Sequence, residues 1–151
     1  MDKESLYLDT SVISAHFDSR AEERQSATRT FWRITVPQYH CRISEITKSE
    51  LDATKNDALR KKFMRLIKDL PLLTLNDEIR DLARAYLDAG VFPLRYADDA
   101  LHVAIASYHK IDYLISWNFE HLVKVKTRRL VNSVNLQQGL SQIEIVSPLE
   151  L

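Results

Sequence analysis

Short apolar runs alternate along the chain with longer segments in which apolar residues recur every three or four positions. Leu6-Tyr7-Leu8 is the first short run, and residues 39–43, 71–75, 112–116 and 143–146 repeat its character, so five strands are predicted. Residues 10–17, 21–34, 44–54, 56–70, 76–89, 96–110 and 127–138 read as helices between them. Ala27, Phe31 and Ile34 share a face of the second, and Leu59, Phe63, Leu66 and Ile67 form the stripe of the fourth. Ser44, Asn56 and Asn76 are suited to cap helix starts, and Gly90 and Gly139 to end helices. Segment 96–110 is apolar nearly all round and should be buried. Strands alternating with helices predict an α/β fold with a parallel sheet covered on both faces. No repeat, low-complexity segment or Pro/Gly/Ser-rich linker divides the chain, so one domain over residues 1–151 is expected. Ligands of such sheets bind beyond the carboxyl ends of the strands.

That edge collects acidic residues. Asp9 immediately follows the first strand, where its ordinary role would be to start the helix at Thr10-Ser11. Glu50 has Ile46 four residues before it and Ala53 three after, so it shares a side with apolar residues and needs a cation or a wet cleft. Arg42 is the commonplace partner. Glu45, five residues away, lies about 140° round the helix. Asp98 and Asp99 open the most apolar helix. Asp98 falls with His102 and His109, whereas Asp99 is flanked by Val103 and Ala106, so Asp99 is expected to face the site and Asp98 to be peripheral. Asn118 follows the fourth strand with a neutral carbonyl oxygen. Asp9, Glu50, Asp99 and Asn118 thus map to one edge. Three converging carboxylates repel unless a divalent cation compensates, and hard oxygen donors suit Mg²⁺ or Mn²⁺. Such sites activate water and neutralise charge on a phosphodiester.

Composition narrows the alternatives. Among 151 residues, 21 Lys plus Arg balance 21 Asp plus Glu, which argues against a polybasic coat. Two glycines cannot build a dinucleotide-binding loop or a phosphate-binding P-loop. A single cysteine, Cys41, excludes an intrachain disulfide framework and suits a reducing cytosol. No apolar run approaches the roughly 20 residues of a membrane span, so a soluble, cytoplasmic protein is expected. Lys124, Lys126, Arg128 and Arg129 form a basic run able to steer an RNA backbone, although a solvated helix start is its ordinary role. Arg20, Arg24, Arg29 and Arg33 could meet RNA or an acidic protein segment. His102, His109 and His121 lack metal-ligand spacing, and His102 is expected to pack or hydrogen-bond near the cleft. Trp32 and Trp117 are expected to pack, and Phe31 and Trp32 are candidates for a dimer face.

Four segments, in order, carry a resemblance to the PIN domain family. Leu6-Tyr7-Leu8-Asp9-Thr10-Ser11-Val12-Ile13 resembles its opening, and Ile43-Ser44 followed by Glu50-Leu51 its second motif. Asp98-Asp99-Ala100-Leu101-His102-Val103-Ala104-Ile105-Ala106 resembles the third, and Asp112-Tyr113-Leu114-Ile115-Ser116-Trp117-Asn118-Phe119-Glu120-His121-Leu122 the fourth. The compact form is similar to VapC-type toxins of bacterial type II toxin–antitoxin systems. The resemblance implies a three-layer fold with a five-stranded parallel sheet, its first strand central. It also implies a Mg²⁺- or Mn²⁺-dependent endoribonuclease, usually a homodimer, inhibited by a cognate antitoxin and leaving 5′-phosphate and 3′-hydroxyl ends. Asp9, Glu50 and Asp99 would hold metal, with Asn118 beside them and Ser11, Asp98 and Glu120 as secondary candidates. Many relatives have aspartate where this chain has Asn118, a departure that also admits a catalytically weakened module that binds RNA or a protein. A phosphotransfer receiver or haloacid-type phosphatase fits poorly, because position 11 is serine and Ser147-Pro148 follows the last strand.

Overall fold

The computed structural model describes residues 2–151. Ser5–Leu8 (β1), His40–Ser44 (β2), Leu72–Leu73 (β3), Tyr113–Ile115 (β4) and Glu144–Val146 (β5) form one sheet in the order β3-β2-β1-β4-β5. Every pairing is parallel, so β1 is central and the carboxyl ends of all five strands share one edge. The helices are Thr10–His16 (α1), Glu22–Thr30 (α2), Glu45–Asp52 (α3), Asp57–Ile67 (α4), Asp77–Asp88 (α5), Ala97–Tyr108 (α6) and Val125–Gln137 (α7). The predicted three-layer α/β architecture is the observed one.

Strand alternation sorts the core into two layers. Tyr7, Leu114 and Ile145 face Ile79, Leu82, Tyr86, Val103 and Val131 of the helices α5, α6 and α7. Leu6, Leu8, Ile43, Ile115 and Val146 face Val12, Ile13, Leu51, Phe63 and Ile67 on the opposite side. Ala100, Val103, Ala104, Ile105 and Ala106 are fully buried, which explains the all-round apolarity of α6.

Local chemistry sets the boundaries. Ser44 Oγ accepts from the backbone N–H groups of Ile46 and Thr47, while Asn56 and Asn76 cap α4 and α5 through Leu59 and Ile79. Gly90 and Gly139 end their helices at φ +75° and +76°, a region side chains rarely enter.

Three expectations need correction. The helix predicted over 21–34 is α2 as far as Thr30, then a wide π-helical turn over Phe31–Thr35 and a 3₁₀ turn over Val36–Gln38. Pro37, which cannot donate to a preceding turn, ends that path. The strand predicted over 71–75 shortens to Leu72–Leu73, an edge paired on one side only, and Leu75 N–H donates instead to Glu45 Oε2. Phe31 is buried in the second core layer and cannot form a dimer face, and Trp32 packs half-buried against the same layer.

Candidate active site

Asp9 sits where β1 gives way to α1, and its side chain is nearly sealed from solvent. Oδ1 accepts from Ser11 N–H at 3.0 Å and from Ser11 Oγ at 2.5 Å, so the helix-start role is real. Oδ2 accepts from Ser116 Oγ at 2.6 Å, across to the end of β4. Ser11 Oγ also accepts from Trp117 N–H, and Ser116 Oγ from Asn118 N–H, each at 2.9 Å. The carboxylate is thereby fixed by two hydroxyls that the following loop holds in turn. Ser116 was not singled out by sequence. Its signal was a polar residue at the end of the strand next to β1.

Glu50 lies on α3, and its side chain is about a third exposed. Its partner is His102, whose Nε2 is 2.5 Å from Glu50 Oε1, and not Arg42, which donates to the carbonyl of Cys41. Ala53, on the side expected to be apolar, is exposed, so only Ile46 shares the buried flank with Glu50. His102 Nδ1 meets Tyr7 Oη at 2.5 Å, and Tyr7 Oη meets Ser44 Oγ at 2.7 Å and Thr47 Oγ1 at 3.3 Å. The expectation that His102 is hydrogen-bonded near the cleft therefore holds, but Tyr7 escaped notice. A phenol in an otherwise apolar central strand was the available clue, since a buried tyrosine hydroxyl needs a partner.

Asp99 is partly buried and Asp98 exposed, as the helical wheel predicts. Asn118 is brought to the same edge, but its Oδ1 accepts from His121 N–H at 3.0 Å and closes the turn after β4. Glu120 is largely exposed, 4.0 Å from His121 Nε2. Lys124, Lys126 and Arg129 are exposed around the start of α7, whereas Arg128 is half-buried against Glu150 at 3.7 Å and the carbonyl of Ile145. Arg20 pairs with Asp18, Arg29 donates to the carbonyl of His16, and Arg24 lies 5.1 Å over the Trp117 ring. Trp117 is buried, as expected.

Asp99 senses the other two carboxylates. Burial pushes Asp99 up to about 6, opposed by His102 and His121 and reinforced by the charges of Asp9 and Glu50. Burial likewise raises Asp9, against the pull of His102 and the two serines. For His102, burial acts downward, yet the Glu50 bond and the charges of Asp9, Glu50 and Asp99 hold it above the ordinary histidine value.

Such a set is short of positive charge and built from hard oxygens, which fits Mg²⁺ or Mn²⁺. Among the described residues no group of three or more Asp, Glu, His or Cys side chains is placed so as to hold a metal ion. Mg²⁺ keeps several waters and needs only one or two carboxylates. Asp9 and Asp99 are the residues able to hold it, with Glu50 available through the oxygen that His102 leaves open. Among the described residues no helix is long and apolar enough to cross a membrane.

The family model of the PIN domain matches residues 6–120. No curated protein matches the chain. Among solved structures, VapBC-1 from nontypeable Haemophilus influenzae is similar at 15% identity and TM-score 0.60, covering 96% of this chain and 98% of that one. FitAcB from Neisseria gonorrhoeae is similar at 13% identity and TM-score 0.59, covering 97% and 99%. VapBC-5 from Mycobacterium tuberculosis, a member of the VapBC family of toxin–antitoxin systems, is similar at 16% identity and TM-score 0.53, covering 95% and 98%. At these identities the likeness is one of fold.

Proposed function

The chain belongs to the PIN domain family, and from that premise we propose that it is a Mg²⁺- or Mn²⁺-dependent endoribonuclease, the toxin of a type II toxin–antitoxin pair. The observation that carries this reading is the placement of Asp9 at the end of β1, Glu50 on α3 and Asp99 in the first turn of α6, with Asp9 and Glu50 close enough for their charges to act on Asp99. A divalent cation bound there supplies an activated water and charge neutralisation for a phosphodiester. The protein's share is positional. Ser11 and Ser116 fix both oxygens of Asp9, and α6 presents Asp99 toward Asp9 and Glu50. Lys124, Lys126 and Arg129 offer exposed cations to the RNA backbone, a contact that binds phosphate without reading sequence. The partners proposed are an RNA substrate, a cognate antitoxin and a second copy of the chain. The antitoxin follows from the likeness to proteins of the VapBC type, and the second copy from family resemblance.

The test is cleavage of a mixed RNA pool by purified protein with Mg²⁺ or Mn²⁺, with EDTA and Asp9→Asn as controls. Cleavage lost in both controls is the expected result. Activity that survives both would sink the assignment.

One observation favours a second reading, a PIN-fold module that binds RNA or protein without cutting. Asn118 brings no charge to the edge, and its side-chain oxygen already accepts from His121 N–H. RNA retention with no cleavage and no saturable Mn²⁺ binding would favour this module.

A further inference from the structure

We propose that Tyr7 and His102 are positioning residues for Glu50, forming a buried hydrogen-bonded chain that directs one carboxylate oxygen away from a cation and leaves the other free to meet it. The inference rests on the metal-site reading above and deepens it. Neither residue is assigned a direct contact with metal or RNA.

The polarity of the chain follows from its fixed ends. Ser44 Oγ already accepts two backbone N–H groups, from Ile46 at 3.1 Å and Thr47 at 3.3 Å, so its own hydrogen goes to Tyr7 Oη. Thr47 Oγ1 donates to the carbonyl of Leu8 at 3.3 Å, because a carbonyl only accepts. Tyr7 is left with one hydrogen and two possible acceptors, His102 Nδ1 and Thr47 Oγ1. Whichever it takes, the other end of the imidazole faces Glu50 Oε1 at 2.5 Å, and toward an ionised carboxylate, which only accepts, Nε2 is the donor. His102 thus donates to Glu50 Oε1 in either arrangement, and no heavy atom moves between them.

Burial makes the orientation stiff. Tyr7, Ser44 and Thr47 have no exposed surface, and His102 almost none. Tyr7 stands on the central strand, Ser44 and Thr47 start α3, and His102 comes from α6, so three elements lock the imidazole. Glu50 is the one member of the chain that reaches solvent, and Oε2 has no hydrogen-bond partner among the described residues. Partners of this kind behind a ligand orient it, and their loss typically costs 10–100-fold in metal affinity.

The experiment is direct Mn²⁺ titration of the full chain, followed by calorimetry and by the electron paramagnetic resonance signal of free Mn²⁺. The proteins are the parent, Asp9→Asn, Tyr7→Phe, His102→Leu and His102→Gln. Tyr7→Phe and His102→Leu are expected to weaken Mn²⁺ binding ~10–100-fold. His102→Gln, which keeps an N–H donor for Oε1, is expected to recover most of the loss seen with leucine. A role in packing alone would make glutamine the worse replacement, so the order of the two variants separates orientation from fold. Tyr7→Phe removes a single oxygen and serves if His102→Leu fails to fold. Parent-like Mn²⁺ affinity in Tyr7→Phe, or equal affinity in the two His102 variants, would overturn the positioning role while the metal site stands. Absence of Mn²⁺ binding by the parent would overturn the metal site and the positioning role together.

Discussion

The indole N–H of Trp117 donates to Thr28 Oγ1 at 2.8 Å, joining the loop after β4 to the last turn of α2. Both groups are buried, and Thr28 passes its own hydrogen to the carbonyl of Arg24 at 2.7 Å. Trp117 N–H in turn holds Ser11, which holds Asp9, so the bond supports the seat of the carboxylate from behind. Thr28→Val keeps the shape and orphans the indole N–H, at a cost of about 1–3 kcal/mol. A lower urea midpoint, with tryptophan emission changed in the native state, is the expected result. A parent-like midpoint would show that the indole finds another acceptor.

Asp99 gives the metal-free protein a pH dependence with a definite sign. Its native pKa of about 6 lies above the ordinary value of 3.8, so the native state holds this proton more tightly than the unfolded chain. The associated stability is fully present below pH ~4 and is lost as pH rises through ~6. Asp99→Asn is therefore expected to be level with the parent in acid and more stable at neutral pH, by about 1 kcal/mol after solvent screening. Urea titrations at both pH values without metal check this, and a pH-independent difference would refute it.

A further buried network lies among α5, α6 and α7. Tyr86 donates to Asn135 Oδ1, while Asn135 Nδ2 donates to Ser107 Oγ at 3.0 Å. These residues belong to α5, α7 and α6, so the network stitches three helices that share no strand. Asn135→Ala leaves the Tyr86 hydroxyl buried without that acceptor and should cost about 1–3 kcal/mol, with Tyr86→Phe in the same background recovering part of it. The denaturant midpoints of the single and double variants report this, and simple additivity would contradict a shared network.

Much of this molecule is legible in its pattern of apolar residues. The five strands, the buried helix α6 and the caps at Ser44, Asn56 and Asn76 follow from spacing and local chemistry, which act over a few residues. The contrast between Asp98 and Asp99 follows from helical geometry in the same way. What escaped depends on contacts between distant segments. Arg42 is the commonplace alternative for Glu50, whereas His102, fifty-two residues away, is its neighbour in space. Ser116 and Tyr7 are unremarkable residue types, and only the pairing of β1 with β4 and β2 gives their hydroxyls a task. Asn118 reads as a neutral oxygen donor after the fourth strand, and the turn it also closes through His121 N–H exists only in the folded loop. Phe31 keeps the inward face it shares with Ala27, whereas Ile34, read on that same face, is exposed once the wide turn has intervened.

The hydrogen bond between Ser116 and Asp9 spans 107 residues of chain, and β1 gains its second neighbour only when β4 exists. Chain synthesis proceeds from the amino end, and contacts of this separation wait for both partners. A ribosome-bound fragment ending before β4 carries Asp9 without the hydroxyl that orients Oδ2. The order of translation therefore withholds the finished carboxylate seat until most of the protein has been made.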